Sequence, residues 1–301
     1  MRYENFNMKE HGFVGHLAEP DHAGEKAVIV IMGGEKSILP GIKIAERFAD
    51  YHITGLSVSL FGADGLPTGA NQIPLDMFEK AIRYLKDEKK IKSISTYGMS
   101  MGSLFAALVA KYIGEVDNVI LVSPSHVPFE GAWDKKHMTG QSMVTWRGKD
   151  LPFVKPDFSV KKSSKYYYDK EANRKVTGMW IAYRDAYRNT ELEQIADIHI
   201  EELNARILMI AGTGDEAWPS DYSVSYLEKR LIKSHYPKDF KKLIYKNASH
   251  LIGMMPNKEK NKWLYRAIPI IGLIYKSFEL HREDCMKALE MSEQEIIAWI
   301  S

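Results

Sequence analysis

Between Ala27 and Ser123, short apolar runs rich in β-branched residues alternate with segments of helical period, and few architectures accommodate that rhythm. Ala27 to Met32 (AVIVIM) reads as a buried strand, followed by Gly33-Gly34 and a helix carrying Ile44, Ala45 and Phe48 on one side. Ile53 to Ser59 reads as the next strand. After it, Leu75, Phe78, Ile82 and Leu85 stand at helical spacing, with Pro74 suited to a first helical position. Ile91 to Tyr97 is a third strand, Gly102 to Ile113 a helix and Asn118 to Ser123 a fourth strand. This is the pattern of a mostly parallel sheet flanked by helices. The rhythm stops after Pro124, in a stretch of scattered prolines, glycines and aromatics. It resumes at Arg206 to Ala211 (RILMIA), continues through a helix near Tyr222 to Ile232, and reaches a last strand at Lys242 to Tyr245 before closing helices. The expected organisation is a core of residues 1–124 and 204–301 interrupted by an inserted cap or lid, residues 125–203.

The third strand runs directly into Gly98-Met99-Ser100-Met101-Gly102, and the helix follows at once. A GxSxG pattern in that setting is the nucleophile elbow of the α/β-hydrolase fold: the turn strains the serine and exposes its hydroxyl, and the glycines let strand and helix approach. Without the flanking strand and helix the same five residues are a common glycine-rich turn. A serine hydroxyl needs a base within hydrogen-bond reach and a third group to orient that base. In this fold the acid and then the histidine follow the serine along the chain. Asp215 follows RILMIA in GTGDEAWPS, with Glu216 and Asp221 as competitors that suit a helix N-terminus. Of ten histidines, His250 in NASHLIG stands just beyond the last strand and is the expected base. His126, after the fourth strand, is a candidate substrate contact; His137 falls inside the insertion, and His199 and His235 read as surface or helix-flanking positions. The oxyanion donors are expected from the backbone of Met101 and from the loop Gly33-Gly34-Glu35, Gly34 foremost. Glu35 and Trp218 are further candidate substrate contacts. The chemistry requires no metal or redox cofactor.

Composition bounds the alternatives. Hydrophobic residues make up 45% and charged residues 27%, so a folded core is expected. A net charge of +2 lacks the basic surfeit of a nucleic-acid binder. Within residues 135–175, eleven Lys or Arg face four Asp or Glu, which makes part of the insertion basic: either a solvated surface or a field that attracts an anionic substrate. Cys285 is the single cysteine and excludes an intrachain disulfide; in HREDCMKALE it reads as a buried helical thiol. The polar opening MRYENFNMKEHG has no secretory signature, and a cytoplasmic location is expected. The apolar run Ala267 to Tyr275 is about half of the roughly 20 residues a spanning helix needs and contains Pro269 and Gly272, so no stable membrane insertion is expected. Packing against the domain is the expectation, with a homo-oligomer contact or a membrane-touching surface as the alternatives.

The surroundings of these motifs resemble the catalytic C-terminal domain of the acyl-CoA thioesterase and bile acid-CoA:amino acid N-acyltransferase family. The carrying segments are LFGADGLP, YGMSMGSLFAALVA, VSPSHVPFEG, TWRGKDLPFV, GTGDEAWPS and YKNASHLIG, which together span roughly Ala27 to Met255. The resemblance implies a triad of Ser100, Asp215 and His250 acting on a small-molecule acyl thioester or ester. In that family a cysteine nucleophile goes with amino-acid conjugation and a serine with hydrolysis, so Ser100 points to water as the acceptor. Two features depart from the family. Fewer than 30 residues precede the first expected strand, where mammalian members place an immunoglobulin-like domain. Met99 and Met101 flank the nucleophile, where relatives often carry a different residue after the serine. The rival readings are an acyltransferase or carboxylesterase using the same triad, a peptidase, and a hydrolase-like binding protein, whose hallmark would be a missing triad member.

Overall fold

The strands anticipated from the apolar runs join two further strands in an eight-stranded sheet. In the computed structural model, which describes residues 1–34, 36–134, 137–255, 270, 272–273 and 275–301, the order across the sheet is β1 (Arg2–Phe6), β2 (Gly15–Glu19), β4 (Thr54–Val58), β3 (Lys26–Ile31), β6 (Ser93–Met99), β7 (Asn118–Val122), β14 (Arg206–Gly212) and β15 (Phe240–Tyr245). β1 pairs antiparallel with β2 and β2 with β4; the remaining neighbours are parallel, with Val30 of β3 opposite both Ser57 and Tyr97. Inner parallel strands are covered on both faces, so β3, β7 and β14 read as near-continuous apolar runs instead of alternating. β4 and β7 are buried along their whole length.

Successive residues of β3 show how the two layers form. Val28 and Val30 belong to a core with Ile44 and Phe48 of α2 (Leu39–Asp50) and Ile296 of α9 (Arg282–Ile300). Ala27, Ile29 and Ile31 belong to the opposite core, with Phe78 of α3 (Met77–Arg83), Leu104 of α4 (Met101–Tyr112) and Leu227 of α7 (Ser220–Lys233). Each fully buried aliphatic or aromatic side chain of this kind contributes about 1.5–3 kcal/mol.

The structure departs from the sequence expectation in two places. AVIVIM is not the first strand, because β1 and β2 precede it. Their sequences, RYENF and GHLAE, are mixed in polarity; His16 and Glu19 are buried against Asn5 and Lys89. Pro74 does not start a helix but lies in the short β5 (Ile73–Pro74), paired in parallel with β10 (Val144–Trp146). Ile73 and Leu75 donate to Met143 and Thr145 carbonyls at 2.8 and 2.9 Å, so the N–H that proline lacks falls where none is needed. The span after β7, where the strand–helix rhythm stops, holds regular structure of its own. Here stand the hairpin β8 (Glu130–Asp134) and β9 (His137–Ser142), then β11 (Lys149–Asp150) beside β10, and the hairpin β12 (Tyr166–Asp169) and β13 (Arg174–Thr177). Helices α5 (Gly178–Tyr187) and α6 (Thr190–Ala196) complete it, and residues 125–203 supply no strand to the large sheet. Before the chain enters α3 it passes α1 (Met8–His11), and before α9 it passes α8 (Lys276–Leu280). Most of the apolar run Ala267 to Tyr275 lies outside the described residues. No helix among the described residues is long and apolar enough to cross a membrane.

Candidate active site

Ser100 stands between the end of β6 and the start of α4 with φ 59° and ψ −126°, a backbone conformation that costs a non-glycine residue about 1–3 kcal/mol. Its N–H donates to the Val122 carbonyl at 2.8 Å, and its own carbonyl accepts from Ser103 Oγ at 2.6 Å. The glycines on either side are a steric necessity. A Cβ on Gly102 would stand 2.0 Å from the Ile31 carbonyl oxygen, and one on Gly98 2.3 Å from that of Gly102. No side chain fits at either place.

The other two residues arrive from neighbouring strand ends. Asp215 follows β14 and is fully buried; it accepts from the N–H groups of Ala217 (2.8 Å) and Trp218 (3.3 Å) and from Ser220 Oγ (2.6 Å). His250 follows β15, and its carbonyl accepts from Ser123 Oγ at 2.9 Å, which ties the loop to the end of β7. His250 Nδ1 lies 2.9 and 3.0 Å from the Asp215 carboxylate oxygens, and Nε2 lies 2.7 Å from Ser100 Oγ. The ring is held edge-on by Trp218, centroids 5.0 Å apart, and stacked by Tyr275 at 6.2 Å. The competing acids do not join this chain. Glu216 turns away and accepts from the Ser277 N–H at 2.6 Å, and Asp221 lies in the first turn of α7; burial pushes both carboxyls above their usual range.

A cavity of about 740 Å³ opens over Ser100. The core contributes Met99, Met101, Trp218, Leu251 and Met254 to its lining, and the insertion contributes Phe129, Met138, Met143, Phe158, Met179 and Tyr183. Burial pushes the Tyr183 hydroxyl up to about 12, so it stays protonated at neutral pH. Met101 is the first residue of α4, and the N–H groups of a helix's first turn have no intrahelical acceptor. Across from it, Gly33 and Gly34 both line the cavity, but the close approach falls on Gly33: a Cβ there would meet Ser100 Oγ at 3.1 Å, whereas one on Gly34 would meet nothing within 4 Å.

The remaining sequence candidates separate. Trp218 lines the cavity and anchors its Nε1 on the Ser123 carbonyl at 3.1 Å. Glu35 lies outside the described residues. His126 is not a cavity residue: it is fully buried, Nδ1 3.0 Å from Ser223 Oγ and Nε2 2.9 Å from Glu193 Oε1, between the rings of Tyr187 and Tyr226. It joins α6 of the insertion to α7. Contacts that the sequence did not suggest link the insertion to the acid loop: Arg174 Nη2 donates to the Asp215 carbonyl at 2.8 Å and Thr177 Oγ1 to that of Glu216 at 2.6 Å. No group of three or more His, Cys, Asp or Glu side chains among the described residues is arranged to hold a metal ion.

Comparison with known proteins places these features among relatives. A family model described as BAAT / acyl-CoA thioester hydrolase C terminal matches residues 73–259. The peroxisomal succinyl-coenzyme A thioesterase of Mus musculus is 25% identical over 206 residues, 68% of this chain and 44% of that protein, so the chain spans less than half the length of this curated relative. Among solved structures, one from Klebsiella pneumoniae subsp. pneumoniae MGH 78578 described as a dienelactone hydrolase has a TM-score of 0.56 at 14% identity, covering 99% of this chain and 98% of that one. A highly thermostable carboxyl esterase from Bacillus coagulans has a TM-score of 0.54 at 13% identity, covering 91% and 99%. The sheet order and these likenesses identify an α/β-hydrolase fold.

Proposed function

The chain belongs to the BAAT / acyl-CoA thioester hydrolase C-terminal family, and from that premise we propose that it is a serine hydrolase that cleaves an acyl thioester or a carboxylic ester through an acyl-enzyme. The observation that carries the reading is the continuous chain from Ser100 Oγ through His250 to Asp215, at 2.7 and 2.9 Å, opening into the Met- and aromatic-lined cavity. His250 takes the Ser100 proton as the hydroxyl attacks the acyl carbonyl, and returns it to the leaving group. Asp215, acceptor of three other hydrogen bonds, holds the imidazole in orientation and offsets its positive charge when protonated. The oxyanion meets the Met101 N–H and the backbone of the Gly33-Gly34 loop. Water, activated by His250, then releases the acid.

Residues 125–203 act as a cap in this reading, since six of its side chains named above line the cavity. The thioester alternative is favoured by the family and by the mouse relative, and the ester alternative by the same triad geometry with a different leaving group. A cytoplasmic location is the reading from the polar opening residues, while the mouse relative is peroxisomal; cell fractionation decides between them. A fluorophosphonate probe should label Ser100 stably, and Ser100→Ala should abolish both labelling and turnover without altering the fold. Normal turnover by that variant would overturn the mechanism. Kinetics on acyl-CoA thioesters and simple esters of matched chain length identify the leaving group, and product analysis with added amines separates hydrolysis from transfer.

A further inference from the structure

A second cavity, of about 1140 Å³, lies behind the one that holds Ser100, and the two share a wall. Helix α5 turns Met179 and Tyr183 toward Ser100 but Trp180 and Arg184 toward the second cavity; in the acid loop, Trp218 lines the first and Glu216 the second. Three polar atoms on the lining of the second cavity are buried and have no hydrogen-bond partner among the described residues: Glu216 Oε2, Trp180 Nε1 and the Tyr166 hydroxyl. Glu216 and Trp180 are 3% and 5% exposed. A buried acceptor and a buried donor left orphaned are costly, and groups of this kind ordinarily mark a place that something else fills.

The charges of the lining point the same way. Arg184 is paired with Asp169 and Asp185, Arg188 with Glu171 and Asp185, and Lys276 with Glu279. Arg174 and the exposed Lys175 make no ion pair among the described residues; Arg174 Nη2 donates to the Asp215 carbonyl and its other N–H donors remain. Glu216 and Asp221 likewise have no ion-pair partner among the described residues, and burial raises both carboxyls. A lone anion bound at Arg174 would sit beside two acids, and a lone cation at Glu216 would sit beside a guanidinium. A molecule carrying both charges satisfies both sets.

We propose that this cavity is a second binding site, for a small zwitterion whose ammonium group donates to Glu216 Oε2 and whose carboxylate accepts from Arg174 and the Trp180 indole Nε1–H. Because Arg174 also holds the Asp215 carbonyl and Glu216 is the next residue, the occupant reaches the Ser100 site through the shared wall and changes its turnover. The binding itself does not rest on the hydrolase reading; only this coupling does.

Calorimetry on the full chain tests the site, with γ-aminobutyrate as the probe and butylamine and butyrate as its singly charged counterparts. Ser100→Ala is run beside the wild type so that occupancy of the first cavity by a reacting ligand plays no part. Saturable binding of the zwitterion to both proteins is expected, weakened about tenfold to hundredfold in Glu216→Gln, which keeps the Oε1 acceptor for Ser277, and in Trp180→Phe. If one variant fails to fold, the other decides. No binding to folded protein, equal binding of the singly charged compounds, or binding indifferent to the substitutions would each overturn the site. Saturation that leaves the kcat of the wild type unchanged would overturn the coupling.

Discussion

Replacing Gly33 by alanine tests how closely the loop after β3 must approach Ser100, the proposed nucleophile. The new Cβ would stand 2.8 Å from Ser100 Cβ, 3.1 Å from Ser100 Oγ and 3.3 Å from the Met99 carbonyl oxygen. Non-bonded carbon atoms settle about 3.5–4.0 Å apart, so either the loop or the serine must move by roughly 1 Å. The serine has little room to yield, because its backbone is pinned to Val122 and Ser103 on the other side. A misplacement of about 1 Å at a reacting group costs about a hundredfold in rate, equivalent to about 2.7 kcal/mol of transition-state stabilisation. Overpacking at one site costs about 1–3 kcal/mol of stability, which a protein of ordinary stability survives with a melting temperature lowered by a few degrees. Gly34→Ala is the matched control, since its Cβ would meet nothing within 4 Å and its N–H is retained. Turnover of a chromogenic ester, with circular dichroism melts of each variant, should separate the two: Gly33→Ala folded and about a hundredfold slower, Gly34→Ala close to wild type. Wild-type turnover in Gly33→Ala, or equal losses in both variants, would refute the argument that the loop backbone abuts the nucleophile at Gly33.

Three further expectations follow from the same contacts. Asp215→Asn should lower kcat by about 10³–10⁴-fold while the protein stays folded, because the amide cannot orient the ring and offset its charge as the carboxylate does; single-turnover acylation measures it. Thr177→Val removes both the cap on the Trp180 N–H and the bond to the Glu216 carbonyl, and should cost about 1–2 kcal/mol in denaturant unfolding. Burial pushes the Cys285 thiol up to about 11 from 9.0. The folded protein therefore keeps a proton that the unfolded chain loses, and stability declines as pH rises between those two values; the decline should be shallower in Cys285→Ala, and iodoacetamide should label the native protein far more slowly than the unfolded one at neutral pH.

What could be read from the sequence depended on where each segment sits in the sheet. β3, β7 and β14 are inner parallel strands, buried on both faces, and announce themselves as near-continuous apolar runs. β1 and β2 form the antiparallel edge; His16 Nδ1 meets Asn5 and the Glu19 carboxylate meets Arg2 and Lys89, contacts that no local pattern reveals. The same distinction governs the site. Asp215 and His250 were legible because each follows a readable strand. His126 also follows a readable strand, β7, and is a candidate substrate contact on sequence grounds, yet its ring is consumed by Ser223 and Glu193, residues 97 and 67 positions away. Arg174 and Gly33 illustrate the limit from the other side: a hydrogen bond to a main-chain carbonyl and a close approach of bare backbone leave no signature in residue type beyond an arginine and a glycine.

The elbow itself explains why its five residues inform only in context. Holding Ser100 at φ 59° costs free energy that a solvent-exposed turn would relieve by rotating away. Here it cannot rotate. β6 is fixed between β3 and β7, and in α4 every residue from Met101 to Ala110 is buried, so the helix is apolar around nearly its whole circumference and has no surface toward which to shift. The glycines at 98 and 102 then let those two rigid elements meet within a distance that any side chain would block. The strain is thus a consequence of two well-packed elements joined by too short a connection, and the exposed hydroxyl follows from it. A chain with the same pentapeptide between an amphipathic strand and a surface helix would lack the enclosure that holds the serine against His250, whichever residues lay downstream.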